Sequence, residues 1–251
     1  MLRALALSGA IAALVFLAPS YASPARAAAR TLPPLILWAW ERPEDLRALD
    51  PDTGVAFLAQ TITLATDRFA VMPRRQPLRV DRQTALVAVT RVEVGRSTAL
   101  ASSAIDVDAV AAIVARTATL PQVVVVQLDF DAAVSERPFY RRLLESVRAR
   151  LDPAVALSIT ALASWCVGDD WLHGLPIDEA VPMLFRMGPE NQPLRKLALA
   201  RSNARSECRG AVGWSIDEPL GVEADGRRMY VFNPKPWTAR TIADVRREAH
   251  R

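Results

Sequence analysis

The stretch Pro121-Gln-Val-Val-Val-Val-Gln-Leu-Asp-Phe-Asp131 constrains this chain more than any other. Four consecutive valines leave no polar face, so a strand here is buried on both sides, as in a parallel sheet. Its end then alternates: Gln127, Asp129 and Asp131 fall at period two and share one face. Strand-like runs recur at 35–40, 55–64, 85–94, 154–162, 179–185, 211–216 and 228–232, which makes eight in all. Helices are expected at 43–49, 106–117, 194–200 and 238–249. Another follows a Ser135 cap, with Phe139, Leu143, Val147 and Leu151 on one face. Residues 169–173 allow one helical turn at most, and 71–80 reads as an extra hairpin arm rather than a helix.

Eight strands, most followed by a helix, within about 220 residues predict an α/β chain folded as a single (β/α)8 TIM-like barrel. The segment between the second and third strands is irregular. An open doubly wound sheet is the alternative, but it lacks the glycine-rich turn that binds a dinucleotide. Hydrophobic residues at 51% and charged residues at 23% suit a packed globular domain.

The chain opens with Met1-Leu-Arg3, runs almost unbroken and apolar from Ala4 to Ala18, and breaks at Pro19-Ser20. Small-residue sites follow at Ser20-Tyr21-Ala22 and Ala27-Ala28-Ala29. This is the layout of a secretory signal peptide, too short for a span of about 20 residues. The expected organisation is a cleaved signal over 1–29 and a barrel over 30–251, exported to the periplasm or secreted, with no membrane span after cleavage. No Cys precedes Cys166, so lipid attachment at the signal end is excluded.

Removal of Arg3 and Arg26 leaves basic and acidic residues nearly balanced, and no dense basic run appears, so nucleic acid is not an expected partner. With two His, at 173 and 250, no metal site and no cofactor are expected. Oligomeric state is left open. In an oxidising compartment Cys166 and Cys208 are candidates for one disulfide, with two separate buried thiols the alternative. In a barrel Cys166 sits past a strand end and Cys208 before a strand, so a bond requires the 202–209 segment to climb toward the rim.

Polar residues gather where strands end, the face on which barrels carry chemistry. Glu41 follows the first strand, Arg91 and Glu93 close the third, Asp129 and Asp131 the fourth, Arg186 the sixth, Asp217 and Glu218 the seventh. All six Trp lie near strand ends or the loops after them. Indole faces beside carboxylates suit a sugar, whose C–H faces stack while its hydroxyls are bound. Catalytic candidates are therefore Asp131 as acid and Asp217 or Glu218 as nucleophile or base. Trp40, Glu41, Asp129, Trp165 and Arg186 are binding candidates for a glycan or other small polar ligand. Trp38 and Trp214 read as core. Asp129, deeper than Asp131, is expected to pair with Arg91 or Arg186, and breaking such a buried pair costs about 3–5 kcal/mol. Ser215 lacks the GxSxG frame and has only His173 as a base, and no phosphate-cradling loop exists.

Leu35-Ile-Leu-Trp-Ala-Trp-Glu41, Gln127-Leu-Asp-Phe-Asp-Ala132 with Ser135-Glu-Arg137, Leu157-Ser-Ile-Thr-Ala-Leu-Ala-Ser-Trp-Cys166, Val181-Pro-Met-Leu-Phe-Arg-Met-Gly188 and Asp217-Glu-Pro219 resemble a bacterial family, domain of unknown function 3142. That resemblance implies an exported protein and no particular activity. More distantly, the fourth strand is similar to the DxxDxDxE strand of chitinase-like glycoside hydrolases. Asp129 and Asp131 match its two inner aspartates, whereas the first Asp falls on Val126 and the acid Glu on Ala133. The similarity implies a glycan-active barrel, with a non-catalytic exported barrel that binds glycan or assists envelope assembly as the alternative.

Overall fold

The computed structural model describes residues 32–95, 100, 103–188, 191–200, 202–218 and 226–249. The segment read as a signal peptide, 1–29, and His250 lie outside the described residues. Eight strands form the barrel: β1 (Leu35–Ala39), β3 (Thr53–Leu64), β6 (Leu86–Val94), β7 (Val123–Asp129), β8 (Ala156–Leu162), β9 (Glu179–Met183), β10 (Ala211–Ser215) and β11 (Arg228–Phe232). Each pairs in parallel with the next, and β11 pairs back onto β1, with Leu35 opposite Met229, to close the cylinder. The eight runs read from the sequence are these eight strands.

The helical jacket is uneven. Helix α1 (Val107–Arg116) is capped by Asp106, whose Oδ1 accepts the Asp108 and Ala109 N–H groups. Helix α2 (Arg137–Arg150) buries Phe139, Tyr140, Leu143, Leu144 and Val147. Ser135 does not cap it. A 3-10 turn over Val134–Glu136 comes first, and there Glu136 Oε2 accepts the Ala133 N–H at 2.7 Å. Between β8 and β9 only α3 (Ala163–Cys166) is helical among the described residues; α4 (Gln192–Leu199) and α5 (Ala239–Ala249) follow later.

Residues 43–49 are not a helix. β2 (Glu44–Leu46) buries Glu44 and Leu46 and exposes Asp45, the alternation of a strand, and pairs in parallel with β5 (Leu78–Val80). The Glu44 carboxylate stays inside because Arg42 pairs with it and the Trp237 N–H donates to it. The hairpin arm is present: β4 (Phe69–Pro73) runs antiparallel on β3, with Val71 opposite Ile62.

Cys166 and Cys208 form a disulfide with Cα atoms 5.8 Å apart. They meet in the layer outside the strands, not at the rim. Both are fully buried in one cluster with Leu157, Ile159, Trp165, Trp171 and Leu172, and the Arg205 N–H donates to the Cys166 carbonyl. The bond and its aromatic neighbours thus cover the wall where a crossover helix is missing. Among the described residues no helix is long and apolar enough to cross a membrane.

Candidate functional site

Period-two alternation decides what points into the barrel. β7 sends Val125, Gln127 and Asp129 inward, and β8 answers with Ala156, Ser158 and Thr160. The deeper layer is a polar chain that begins at Gln127, whose Oε1 is buried without a partner among the described residues. Gln127 Nε2 donates to Ser158 Oγ at 2.9 Å, Ser158 and Tyr230 donate to Glu179, and Arg228 pairs with Glu179. Burial and the neighbouring Glu179 push the Tyr230 phenol well above its ordinary pKa, so it remains a donor.

One layer higher, β6 and β7 place Arg91 opposite Asp129 in register. Arg91 Nη1 donates to Asp129 Oδ2 at 3.2 Å, Arg91 Nε to Glu93 Oε1 at 3.0 Å, and Thr160 Oγ1 to Asp129 Oδ1 at 2.8 Å. Burial raises the pKa of Asp129, although Arg91 and the Thr160 hydroxyl pull against it. Burial opposes the Arg91 charge too, yet Asp129, Glu93 and Asp131 together hold its pKa above the ordinary value. Of the two arginines considered for Asp129, the partner is Arg91.

Above this pair opens a cleft of about 500 Å³, lined by the ends of β1, β6, β7, β8, β9 and β11 and by α4. Asp131 is exposed in it and accepts no hydrogen bond among the described residues. Across the barrel stand Trp40, Phe185 and Phe232. Phe232 lies 4.4 Å from buried Trp38 in a stacked pair, 6.0 Å from Trp40 and 4.7 Å from Phe185, ring centroid to centroid. The Trp40 backbone is pinned from below: Arg74 Nη1 and the Arg42 N–H both donate to its carbonyl at 2.7 Å. Gly213 lets Met183 reach the cleft, since a Cβ there would sit 2.7 Å from the Met183 sulfur.

Of the sequence candidates, the cleft therefore gathers Trp40, Asp129, Asp131 and Arg186. Arg186 reaches it from a left-handed turn at φ 55°, with its N–H donated to Glu218 Oε2 at 2.9 Å. Glu218 and Asp217 do not line the cleft. Glu218 ties the loop after β10 to the loop after β9, and Asp217 takes the Ser215 hydroxyl. Glu41 also lies outside, where its Oε1 accepts the N–H groups of Arg75 and Gln76. Trp165 is 1% exposed, packed against Trp171 and Tyr140 with the Arg137 guanidinium over its ring, because α3 turns the chain outward at Ala163. Trp38 and Trp214 are core, as the sequence suggests. Phe185 and Phe232 were not among the candidates. Their signal was present: each continues the inward alternation of its strand, after Met183 and Tyr230. Among the described residues no group of three or more His, Cys, Asp or Glu is placed to hold a metal.

Residues 82–181 match the model of the family described as Domain of unknown function (DUF3142). That stretch runs from before β6 into β9 and carries Arg91, Asp129 and Asp131, so the resemblance read from the sequence holds there. No curated protein matches the chain. Among solved structures, the barrel is similar to the Bacillus cereus spore cortex-lytic enzyme SleL, with a TM-score of 0.50 and 18% identity. The match covers 72% of this chain and 50% of that one, so this chain matches about half the length of that protein. At such identity the likeness is one of fold: a TIM-like barrel.

Proposed function

We propose that this is an exported, glycan-active barrel that seats a sugar in the rim cleft, with Asp131 as its proton-handling carboxylate. One observation carries the reading. A wall of Trp40, Phe185 and Phe232 shares a single 500 Å³ cleft with an exposed carboxylate and an arginine–carboxylate pair. A sugar needs both surfaces at once, ring faces for its C–H side and charged acceptors for its hydroxyls. The fold likeness to an enzyme named as cortex-lytic supports the same direction. Export rests on the signal-like first 29 residues, and a buried disulfide is consistent with an oxidising compartment.

A second reading is favoured by two observations. Ala133 stands where the similar hydrolase strand carries its proton donor, and Asp217 and Glu218 are engaged outside the cleft. Glycoside cleavage normally requires two carboxyl groups about 5–10 Å apart. Without a second one the barrel binds glycan, or assists envelope assembly, and does not cut it. A glycan panel assayed for binding and for reducing-end release separates the two. Cleavage by the wild type that Asp131→Asn abolishes, at unchanged melting temperature, establishes the enzyme. Binding without cleavage, retained in Asp131→Asn, establishes the binding barrel. Neither binding nor cleavage across the panel refutes both.

A further inference from the structure

We infer that the ligand groove continues past Asp131 into a second pocket, so that the protein takes a glycan chain and not a single sugar; this rests on the glycan reading above. A cavity of about 420 Å³ lies beside the cleft, and the two share Arg91, Asp129 and Asp131 in their linings. Each volume by itself falls in the range of a small-ligand site, about 300–1,000 Å³. Asp131 stands at the junction with no hydrogen-bond partner among the described residues, so its oxygens serve a ligand crossing from one pocket to the other.

The second pocket is built differently from the first. Glu93, Val94 and Glu136 line it, and the aromatic wall of the first cleft is absent from its lining. Glu136 is held through one oxygen by the Ala133 N–H at 2.7 Å, which fixes the carboxylate and leaves Oε1 free to accept. Glu93 is fixed in the same manner through Oε1 by Arg91. Carboxylates are acceptors only, and sugar hydroxyls are donors available on every unit of a chain. The Arg91 guanidinium already serves Asp129 and Glu93, so the second pocket offers hydroxyl acceptors rather than a free cation. A chain crossing Asp131 stacks on Trp40 and Phe185 at one end and is hydrogen-bonded by Glu93 and Glu136 at the other.

The test is a titration series with β-1,4-linked N-acetylglucosamine and glucose oligomers of one to six units, read by calorimetry on the signal-free chain. Affinity should rise with length by about tenfold or more, which is 1.4 kcal/mol, before levelling when both pockets are filled. Val94→Trp fills the second pocket. Glu136→Gln keeps the Ala133 bond through its amide oxygen and removes the charge. Both variants, checked for an unchanged melting temperature, should bind the shortest ligand as the wild type does and lose the gain with length. Affinity independent of length in the wild type, or a gain that survives in whichever variants fold, overturns the second pocket while leaving the first. Absence of binding at every length overturns the glycan reading and this inference together.

Discussion

Replacing Asp129 by asparagine tests how the charge beneath the cleft is held. Loss of one partner from a buried ion pair costs about 3–5 kcal/mol because the other charge is left stranded. Arg91 would not be stranded. Its side chain is 38% exposed and keeps Glu93 at 3.0 Å. The asparagine oxygen accepts from Thr160 or from Arg91 but not from both, so one bond of about 1 kcal/mol is lost. The carboxylate itself is disfavoured, since burial raises its pKa despite Arg91 and Thr160. A folded pKa above the unfolded value means that the native state holds the proton more tightly. That contribution to stability is fully present below the unfolded pKa and is lost as pH rises through the folded one. The ionised form of Asp129 thus opposes folding, and its removal offsets the weakened pair. We expect Asp129→Asn to lie within about 1 kcal/mol of the wild type at pH 7, not 3–5 below it. Its stability relative to the wild type should improve as pH rises above about 4, the unfolded pKa. Urea unfolding of both proteins at five pH values measures this. A deficit of 3 kcal/mol or more at pH 7, or a relative stability that worsens with pH, refutes the reasoning.

Joint replacement Cys166→Ser and Cys208→Ser should lower stability by up to about 4 kcal/mol, from the loop-closure entropy of a 42-residue separation; the wild type should show no free thiol under denaturing, non-reducing conditions. Trp40→Ala should weaken glycan binding roughly five- to tenfold, and because its ring also packs on Trp38 and Phe232 it should lower stability by about 1–2 kcal/mol. N-terminal sequencing of the exported protein should find a start near Ser23 or Arg30, and a cytoplasmic chain beginning at Met1 would remove the export reading.

The barrel strands were legible because burial on both faces demands short apolar runs, about four to eight residues long and bounded by turn residues. The first connection was not, because β2 is a three-residue strand that buries Glu44 beside Leu46, a charge that its partners Arg42 and Trp237 make tolerable. Trp237 lies 193 residues along the chain and leaves no local pattern. The site divides on the same line. Asp129 with Arg91 could be anticipated because two parallel strands in register place them side by side, and Asp131 continues the alternation beyond the strand end. Asp217 could not be placed by alternation, because β10 ends at Ser215 and a bridge from Ser215 to Glu218 folds the following residues away from the cleft. Trp165 fails for a related reason, since α3 begins two residues before it and turns the indole into the outer layer. Alternation carries past the ends of β1, β7 and β9, to Trp40, Asp131 and Phe185, and fails past β10. Phe185 and Phe232 keep to it and form the wall with Trp40. Trp40 after Trp38, Asp131 after Asp129, Phe185 after Met183 and Phe232 after Tyr230 all line the cleft, whereas Asp217 after Ser215 is turned away by the bridge to Glu218.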